Sequence, residues 1–475
     1  MLFNGLAFWV FIPLFFVLYS TLRGNHRLLV SLIGSYVFYS WWDWRFLFLI
    51  ITLTLSNYLL GMKIAATADT ERRKYYLVTS VVISLGILGY FKYTNFFLDS
   101  FTKLLSLIGI EWHTGTLNII LPVGISFYTF QTMSYVIDVY KGKMPVENSL
   151  LRFSVFVAFF PQLVAGPIVR ASTFIPQLYK DQPIEWDRMV RGATWIAWGF
   201  ILKSVIADSL ADIVDARFSN PGANTSLSLM IGVYFYAFQI YGDFAGYSLI
   251  AIGLAHMLGY DFGRNFNRPY FSESFSEFWR RWHISLSSWL RDYLYISLGG
   301  NRKGPHRTYA NLMITMLLGG LWHGAAWTFV IWGFLHGLYL ALQRIISPYY
   351  RTFLNVLRIP PAASKVFLIP FIFMLTCITW VFFRAASFDD AWLILHRIGE
   401  FNNMSFDAVA QKFLVVKGFL LVISLTIIEI SSFFIDYDAI ARAKPWLNGM
   451  FLVGCMIVIS LFGTFGGNAF IYFQF

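Results

Sequence analysis

Charge is scarce in this sequence: of 475 residues only 13% are Asp, Glu, Lys or Arg, while 57% are hydrophobic. An ordinary soluble domain carries about 25% charged residues. No water-soluble globule hides that much apolar surface, so a soluble enzyme is excluded. Cysteine is nearly absent too. Cys377 and Cys455 both lie inside apolar runs without metal-like spacing, which excludes a disulfide framework and a cysteine metal site and leaves packing roles. There is no Gly-rich phosphate loop, no G-x-S-x-G elbow and no paired-Cys metal site. The first apolar run, Gly5 to Leu22, has no basic stretch before it and no small-residue cleavage site after it, so it reads as a first span rather than a removable signal peptide.

What the chain has instead is a succession of apolar runs near the roughly 20 residues that span a bilayer core. Candidate spans are 5–22, 28–42, 45–62, 76–98, 117–138, 151–168, 192–214, 226–254, 308–322, 324–344, 363–384, 411–435 and 446–466. The expectation is one all-α polytopic membrane domain over residues 1–475, crossing roughly ten to twelve times. Two pairs, 28–42 with 45–62 and 308–322 with 324–344, read as tilted, broken or re-entrant, because Trp42-Asp43-Trp44-Arg45 and Trp322-His323-Gly324 interrupt them. Arg23, Arg27, Lys63 and Arg72-Arg73-Lys74 assign their loops to the cytoplasm and the N-terminus to the outside. The net charge is +11, scattered between spans instead of forming one stripe. Nucleic acid is therefore a poor partner, whereas anionic lipid headgroups or anionic substrates fit.

Three loops are too long for mere turns: 166–191, 255–307 and 385–410. The segment 255–307 carries Arg280, Arg281, Arg291, Arg302, Lys303 and Arg307, and between Glu277 and Leu298 apolar residues repeat at helical spacing. That pattern predicts an amphipathic helix at the cytoplasmic interface, ended by Leu298-Gly299-Gly300-Asn301. Its basic residues suit either an anionic cofactor or carrier, or anionic lipid.

Ionisable side chains at membrane depth are costly and therefore candidates for function. His323 lies among Trp322 and small residues in Gly319-Gly320-Leu321-Trp322-His323-Gly324-Ala325-Ala326. Burial without a charged partner favours a neutral imidazole available as a base, although a core histidine bound to a carbonyl has the same local sequence. His283 is placed on the apolar side of the amphipathic helix with Trp279, Leu286 and Leu290. His336, between Gly333 and Gly337, reads as a packing histidine. Asp243, inside the span 226–254, needs hydrogen-bonding partners there; it orients a histidine or ties two helices together.

The blocks YGDFAGYS at 241–248, RPYFSESFSEFWRRWHISLSSWLRDYLYISLGGNR at 268–302, GLWHGAAWTFVIWGFLHG at 320–337 and PQLVAGPIVR at 161–170 resemble the signature of the membrane-bound O-acyltransferase family. The likeness is to its bacterial branch, which O-acetylates alginate or peptidoglycan, and more distantly to D-alanyl transfer in teichoic acid synthesis. It implies that His323 is the essential histidine and His283 the second one. It also implies a bundle of about eleven transmembrane helices, with re-entrant and amphipathic helices, around a central channel. An acyl thioester would enter that channel from the cytoplasm and a hydroxyl acceptor from the opposite side.

The resulting expectation is an O-acyltransferase of the bacterial cytoplasmic membrane that moves acetyl from a cytoplasmic thioester, acetyl-CoA first, to an extracytoplasmic polysaccharide. No permanently bound cofactor is expected, and no metal. Arg280, Arg281, Arg302 and Lys303 are expected to bind the donor's phosphates, with Asp243, Trp322 and His336 in support. A D-alanyl or other acyl transferase fed by a carrier protein is the alternative, and so is a non-enzymatic transporter or polysaccharide-export component. Transport coupling normally needs several buried acids or inverted repeats, and neither is evident. The end of the chain, Phe470-Ile471-Tyr472-Phe473-Gln474-Phe475, reads either as an interfacial aromatic anchor or, by its likeness to a terminal motif of the acyl-export branch, as a relay. In the second reading the Tyr472 hydroxyl carries the acyl group to a periplasmic, SGNH-type acyltransferase.

Overall fold

A computed structural model describes the chain except residues 2, 4, 113–116, 164–165, 407–408, 465–469 and 472–475. Among the described residues there are helices and turns but no strands. The helices are α1 (Leu6–Thr21), α2 (Gly24–Ser40), α3 (Leu47–Ala66), α4 (Thr70–Leu88), α5 (Thr94–Leu107), α6 (Ile125–Tyr140) and α7 (Leu150–Ala158). They continue with α8 (Phe160–Leu163), α9 (Ala171–Leu178), α10 (Trp186–Phe200), α11 (Asp208–Phe218), α12 (Ser226–Met257), α13 (Phe275–Arg281) and α14 (Ile284–Trp289). The last are α15 (Gly304–His323), α16 (Trp327–Val356), α17 (Pro361–Arg384), α18 (Phe388–Glu400), α19 (Lys412–Ser431), α20 (Tyr437–Ala443) and α21 (Pro445–Phe462). Three stretches are π-helical: Gly89–Tyr93, Ile201–Ala207 and Leu290–Tyr295.

Six of these helical stretches are long and apolar enough to cross a membrane: Trp44–Ala66, Thr70–Leu107, Trp327–Val356, Ala362–Arg384, Lys412–Ser431 and Pro445–Phe462. Leu6–Thr21 is a shorter apolar helix. The expected spans 192–214 and 226–254 are helical, and their polar residues Lys203, Asp208, Gln239 and Asp243 are all buried.

The chain divides into two compact units. The first comprises Met1–Gly192 and Ala251–Gly263. Two of its helices start where a side chain satisfies a free amide, Asp69 accepting from Glu71 N before α4 and Ser149 from Arg152 N before α7. A buried polar knot ties α3 to α4: Ser80 Oγ donates to Asn57 Oδ1 at 2.6 Å and Asn57 Nδ2 to Ser84 Oγ at 3.2 Å.

The second unit, Ala193–Ile250 and Arg264–Phe475, contains every described candidate site residue. Its core is strongly aromatic, with Trp282, Trp332 and Trp380 fully enclosed. Here α15 and α16 form a very close hairpin. A Cβ on Gly320 would stand 2.2 Å from the Phe329 carbonyl oxygen, and one on Gly333 2.3 Å from that of Met316. Only glycine at these positions lets the two backbones touch.

The segment expected as one amphipathic helix from Glu277 to Leu298 is instead three pieces. α13 stops at Arg281, Trp282 is extended, His283 takes a left-handed conformation (φ 41°, ψ 56°), α14 follows, and Leu290–Tyr295 is a π turn. A non-glycine residue in that region costs about 1–3 kcal/mol. The cost is borne because the break turns both Trp282 and His283 into the core, where each is fully buried. Gly299 and Gly300, at φ 112° and 55°, end the segment as expected.

Candidate active site

His323 is the last residue of α15, and the extended Gly324–Ala326 link returns the chain into α16. Its imidazole is enclosed edge-on by Trp322, Trp332 and Phe383, with ring centres 5.0, 4.9 and 5.3 Å away. Trp322 also faces His283, at 5.9 Å, so one indole touches both histidines. His283 meets Phe244 edge-on at 4.6 Å and lies along Phe266.

The hydrogen bonds of His283 fix its tautomer. Asn265 Nδ2 donates to Ser248 Oγ at 3.0 Å, which leaves Asn265 Oδ1 as an acceptor for Ser285 Oγ at 2.9 Å and for His283 Nδ1 at 3.2 Å. His283 Nδ1 therefore carries the proton and Nε2 is the basic nitrogen. His283 lies in the segment connecting the spans, and burial alone pushes its imidazole down to about 3, so it is neutral at physiological pH.

His336 belongs to the same aromatic group, 4.7 Å from Trp332 and 5.1 Å from Trp279. Thr379 Oγ1 spends its one hydrogen on the Thr376 carbonyl at 2.7 Å, so the 3.1 Å contact with His336 Nε2 is made by an imidazole N–H donating to Thr379. The arrangement accounts for His336 as a packed, singly hydrogen-bonded histidine.

Among the described residues no hydrogen bond joins Asp243 to a histidine. Its Oδ1 pairs with Lys203 Nζ at 2.7 Å, and the same Nζ reaches Asp208 Oδ1 at 2.8 Å. Asp243 Oδ2 accepts a hydrogen bond from the backbone N–H of Ile471 at 2.8 Å. The start of the terminal aromatic motif is thus inside the core: Phe470 is fully buried, 4.5 Å from Tyr247 and 5.6 Å from Phe244. Phe244 in turn contacts His283. Tyr472, Phe473 and Phe475 lie outside the described residues.

The basic residues fall into two groups. Arg280 is exposed, and Arg281 is held by Glu277 Oε1 through Nε at 3.0 Å and Nη2 at 2.6 Å. Arg302 and Lys303 are exposed on the turn before α15, where Arg302 reaches the Ile296 carbonyl and Lys303 packs over Gly299. Sequence reasoning passed over Lys203 and Asn265. Lys203 was readable as a charge inside a span. Asn265 was not, because its role arises only when residues 248, 265, 283 and 285 meet.

The sequence matches known proteins. The sequence model of MBOAT, the membrane-bound O-acyltransferase family, matches residues 145–383, which include all three histidines of the aromatic group. The chain is 43% identical over 443 residues to "Probable alginate O-acetylase AlgI" of Azotobacter vinelandii, covering 93% of this chain and 84% of that protein. It is 34% identical over 440 residues to the peptidoglycan O-acetyltransferase of Helicobacter pylori, covering 85% and 81%. Similarity to the teichoic acid D-alanyltransferase of Streptococcus thermophilus is narrower: 31% over 268 residues, 52% of this chain and 63% of that one. The histidines, their aromatic enclosure and these matches lead to one conclusion: this multi-pass membrane protein is an O-acyltransferase and belongs to the membrane-bound O-acyltransferase family.

Proposed function

We propose that the protein takes an acetyl group from a cytoplasmic thioester, acetyl-CoA being the simplest donor, and passes it across the bacterial cytoplasmic membrane for O-acetylation of an extracytoplasmic polysaccharide. The observation that carries this reading is the shared contact of His323 and His283 with Trp322, beside a core that also receives the chain's terminal segment at Phe470 and Ile471. The whole of residues 1–475 acts as one membrane domain in this reading. Acetyl is preferred over D-alanyl because the similarity to the two O-acetylation relatives extends over far more of the chain.

In the proposed chemistry His323 removes the proton from an acceptor hydroxyl as its oxygen attacks the thioester carbonyl. A C–O bond forms, the C–S bond breaks, and the proton passes to the departing thiolate. General-base assistance of this kind is typically worth about 10²–10⁴ in rate. The neutral His283, with Nε2 unprotonated, stands on the donor side, and Arg280, Arg281, Arg302 and Lys303 meet the donor's phosphates. Tyr472 is the proposed first acceptor: a phenyl ester is activated, because phenolate (pKa about 10) leaves more readily than a sugar alkoxide. A periplasmic SGNH-type acyltransferase then takes the group onward.

The test uses the full-length protein in membranes. His323→Ala should abolish acetyl transfer while the protein still accumulates and inserts, and full activity in that variant would end the mechanism. Tyr472→Phe removes only an oxygen; it should abolish polysaccharide acetylation and the acetyl adduct that mass spectrometry should find on the wild-type terminal peptide.

A further inference from the structure

The charged cluster at Lys203 is not part of the acyl-transfer chemistry, yet it reaches the segment that the chemistry needs. Lys203, Asp208 and Asp243 are almost completely enclosed, the two ion-paired contacts measuring 2.8 and 2.7 Å. Two carboxylates thus share one ammonium. Lys203 Nζ also lies over the Tyr247 ring, 5.6 Å from its centre. Isolated charges at this depth are too costly to keep, and a structural pair would be complete with one carboxylate. Asp208 supplies that pair. Asp243 is the second carboxylate, and its remaining oxygen is used on the backbone N–H of Ile471, 228 residues along the chain.

We infer that Asp243 is a positioning residue for the terminal segment: together with Lys203 it forms a latch that grips the Ile471 amide and fixes the backbone at Phe470 and Ile471, the residues that precede Tyr472 in sequence. The latch has two further contacts. Thr464 N donates to the Ser204 carbonyl at 3.0 Å, within the same π turn that carries Lys203. Phe470 fills the space between Tyr247 and Phe244, and Phe244 is the residue that abuts His283. The latch therefore grips the backbone, independently of side-chain identity at 471, close to the second histidine. A hydrogen bond to an ionised acceptor is about twice as strong as a neutral one, which suits a grip that must hold a short terminal segment.

Hydrogen–deuterium exchange of the full-length protein reads the gripped amide directly. In Asp243→Leu, Lys203 keeps Asp208, so the fold should survive; exchange of the peptide containing Ile471 should accelerate by about tenfold or more, the loss expected for a charge-assisted hydrogen bond. Asp243→Asn removes the charge but keeps an acceptor oxygen, so its protection should fall between Leu and wild type. Were Asp243 needed only as a countercharge for Lys203, Asn and Leu would behave alike, and that result overturns the latch. Unchanged exchange in Asp243→Leu overturns it too.

Ile471→Pro covers the case in which Asp243→Leu fails to fold. It deletes the donor N–H at the segment's end and leaves the ion cluster intact, while Ile471→Ala keeps the N–H. Exchange at Phe470 should accelerate in the proline variant only; equal exchange in both counts against the latch. The role of the latch in transfer rests on the relay reading above. A loosened segment with normal acetyl transfer would sink the relay and leave the latch standing, whereas a segment that stays protected sinks the latch whatever the activity.

Discussion

Trp332 stands edge-on to His323, 80° between the ring planes and 4.9 Å between their centres, and its other side meets His336 at 4.7 Å. The indole is fully buried, so it sets the position of the His323 ring by contact alone. Trp332→Ala should cost about 3–5 kcal/mol of stability by leaving a cavity and should also lower kcat. Trp332→Phe keeps a ring edge against the imidazole, and a smaller loss, below about 1.5 kcal/mol, is expected. Thermal unfolding in detergent and steady-state kinetics check the pair.

Gly320 and Gly333 hold the hairpin that presents His323. Replacing a mid-helix glycine by alanine ordinarily gains about 1 kcal/mol. At these two sites the new methyl would meet backbone oxygens, which cannot move aside, and overpacking of about 1–3 kcal/mol or more should win. Gly333→Ala should therefore destabilise the protein and reduce acyl transfer. Gly449→Ala on α21, where nothing lies within 4 Å, should be neutral or stabilising. Reversal of that order would remove the close hairpin as the explanation.

The two arginines at the end of α13 should behave differently. Arg280 is exposed, and Arg280→Gln should raise the apparent KM for the acyl donor by about tenfold while leaving stability unchanged. Arg281→Gln also takes the cation from Glu277, leaving its carboxylate only the Glu273 N–H, and should lower stability as well. Donor titrations against membranes of equal protein content separate the two effects, and a KM unchanged in both variants leaves lipid anchoring as the role of this segment.

Asp261, in the turn after α12, has its carboxyl held below the usual carboxylate range, first by the hydrogen bond with His256 and then by Arg188. A depressed pKa means the folded state binds the proton less well than the unfolded one. The stabilisation is therefore full above about pH 4 and disappears as pH falls through the folded value. The side chain is more than half exposed, so at most about 1 kcal/mol is involved. Asp261→Asn should lower the unfolding temperature at pH 7, and the difference from wild type should shrink only as pH falls below about 4 and through the depressed value of the folded carboxyl.

The parts of this molecule legible in its sequence are those set by local pattern. Apolar runs located most of the long helices, although the expected span 117–138 is helical only from Ile125 and α9 and α18 fall in segments read as loops, and a histidine between tryptophan and glycine located the turn between α15 and α16. The break at His283 was not legible, since periodicity over Glu277–Leu298 favours a continuous helix and only burial of Trp282 and His283 against distant aromatics opposes it. Asp243 announced a need for partners without naming them. Its partners are 40 residues before it and 228 after it, and such distances leave no local trace.

The wide turn Ile201–Ala207 has a consequence for how this sequence can change over time. A π turn amounts to one residue more than an α-helix would use, and it is what sets the azimuth of Lys203 relative to everything that follows. Deleting one residue between Lys203 and Asp208 would restore ordinary winding and leave α11 in register, because residues four apart face each other on an α-helix as residues five apart do here. Adding one with no further widening would instead rotate α11 by about 100° and swing Asp208 away from the ammonium. Length here is thus constrained in one direction: the turn can lose its extra residue, but a further insertion must be answered by a new partner for the lysine or by its loss.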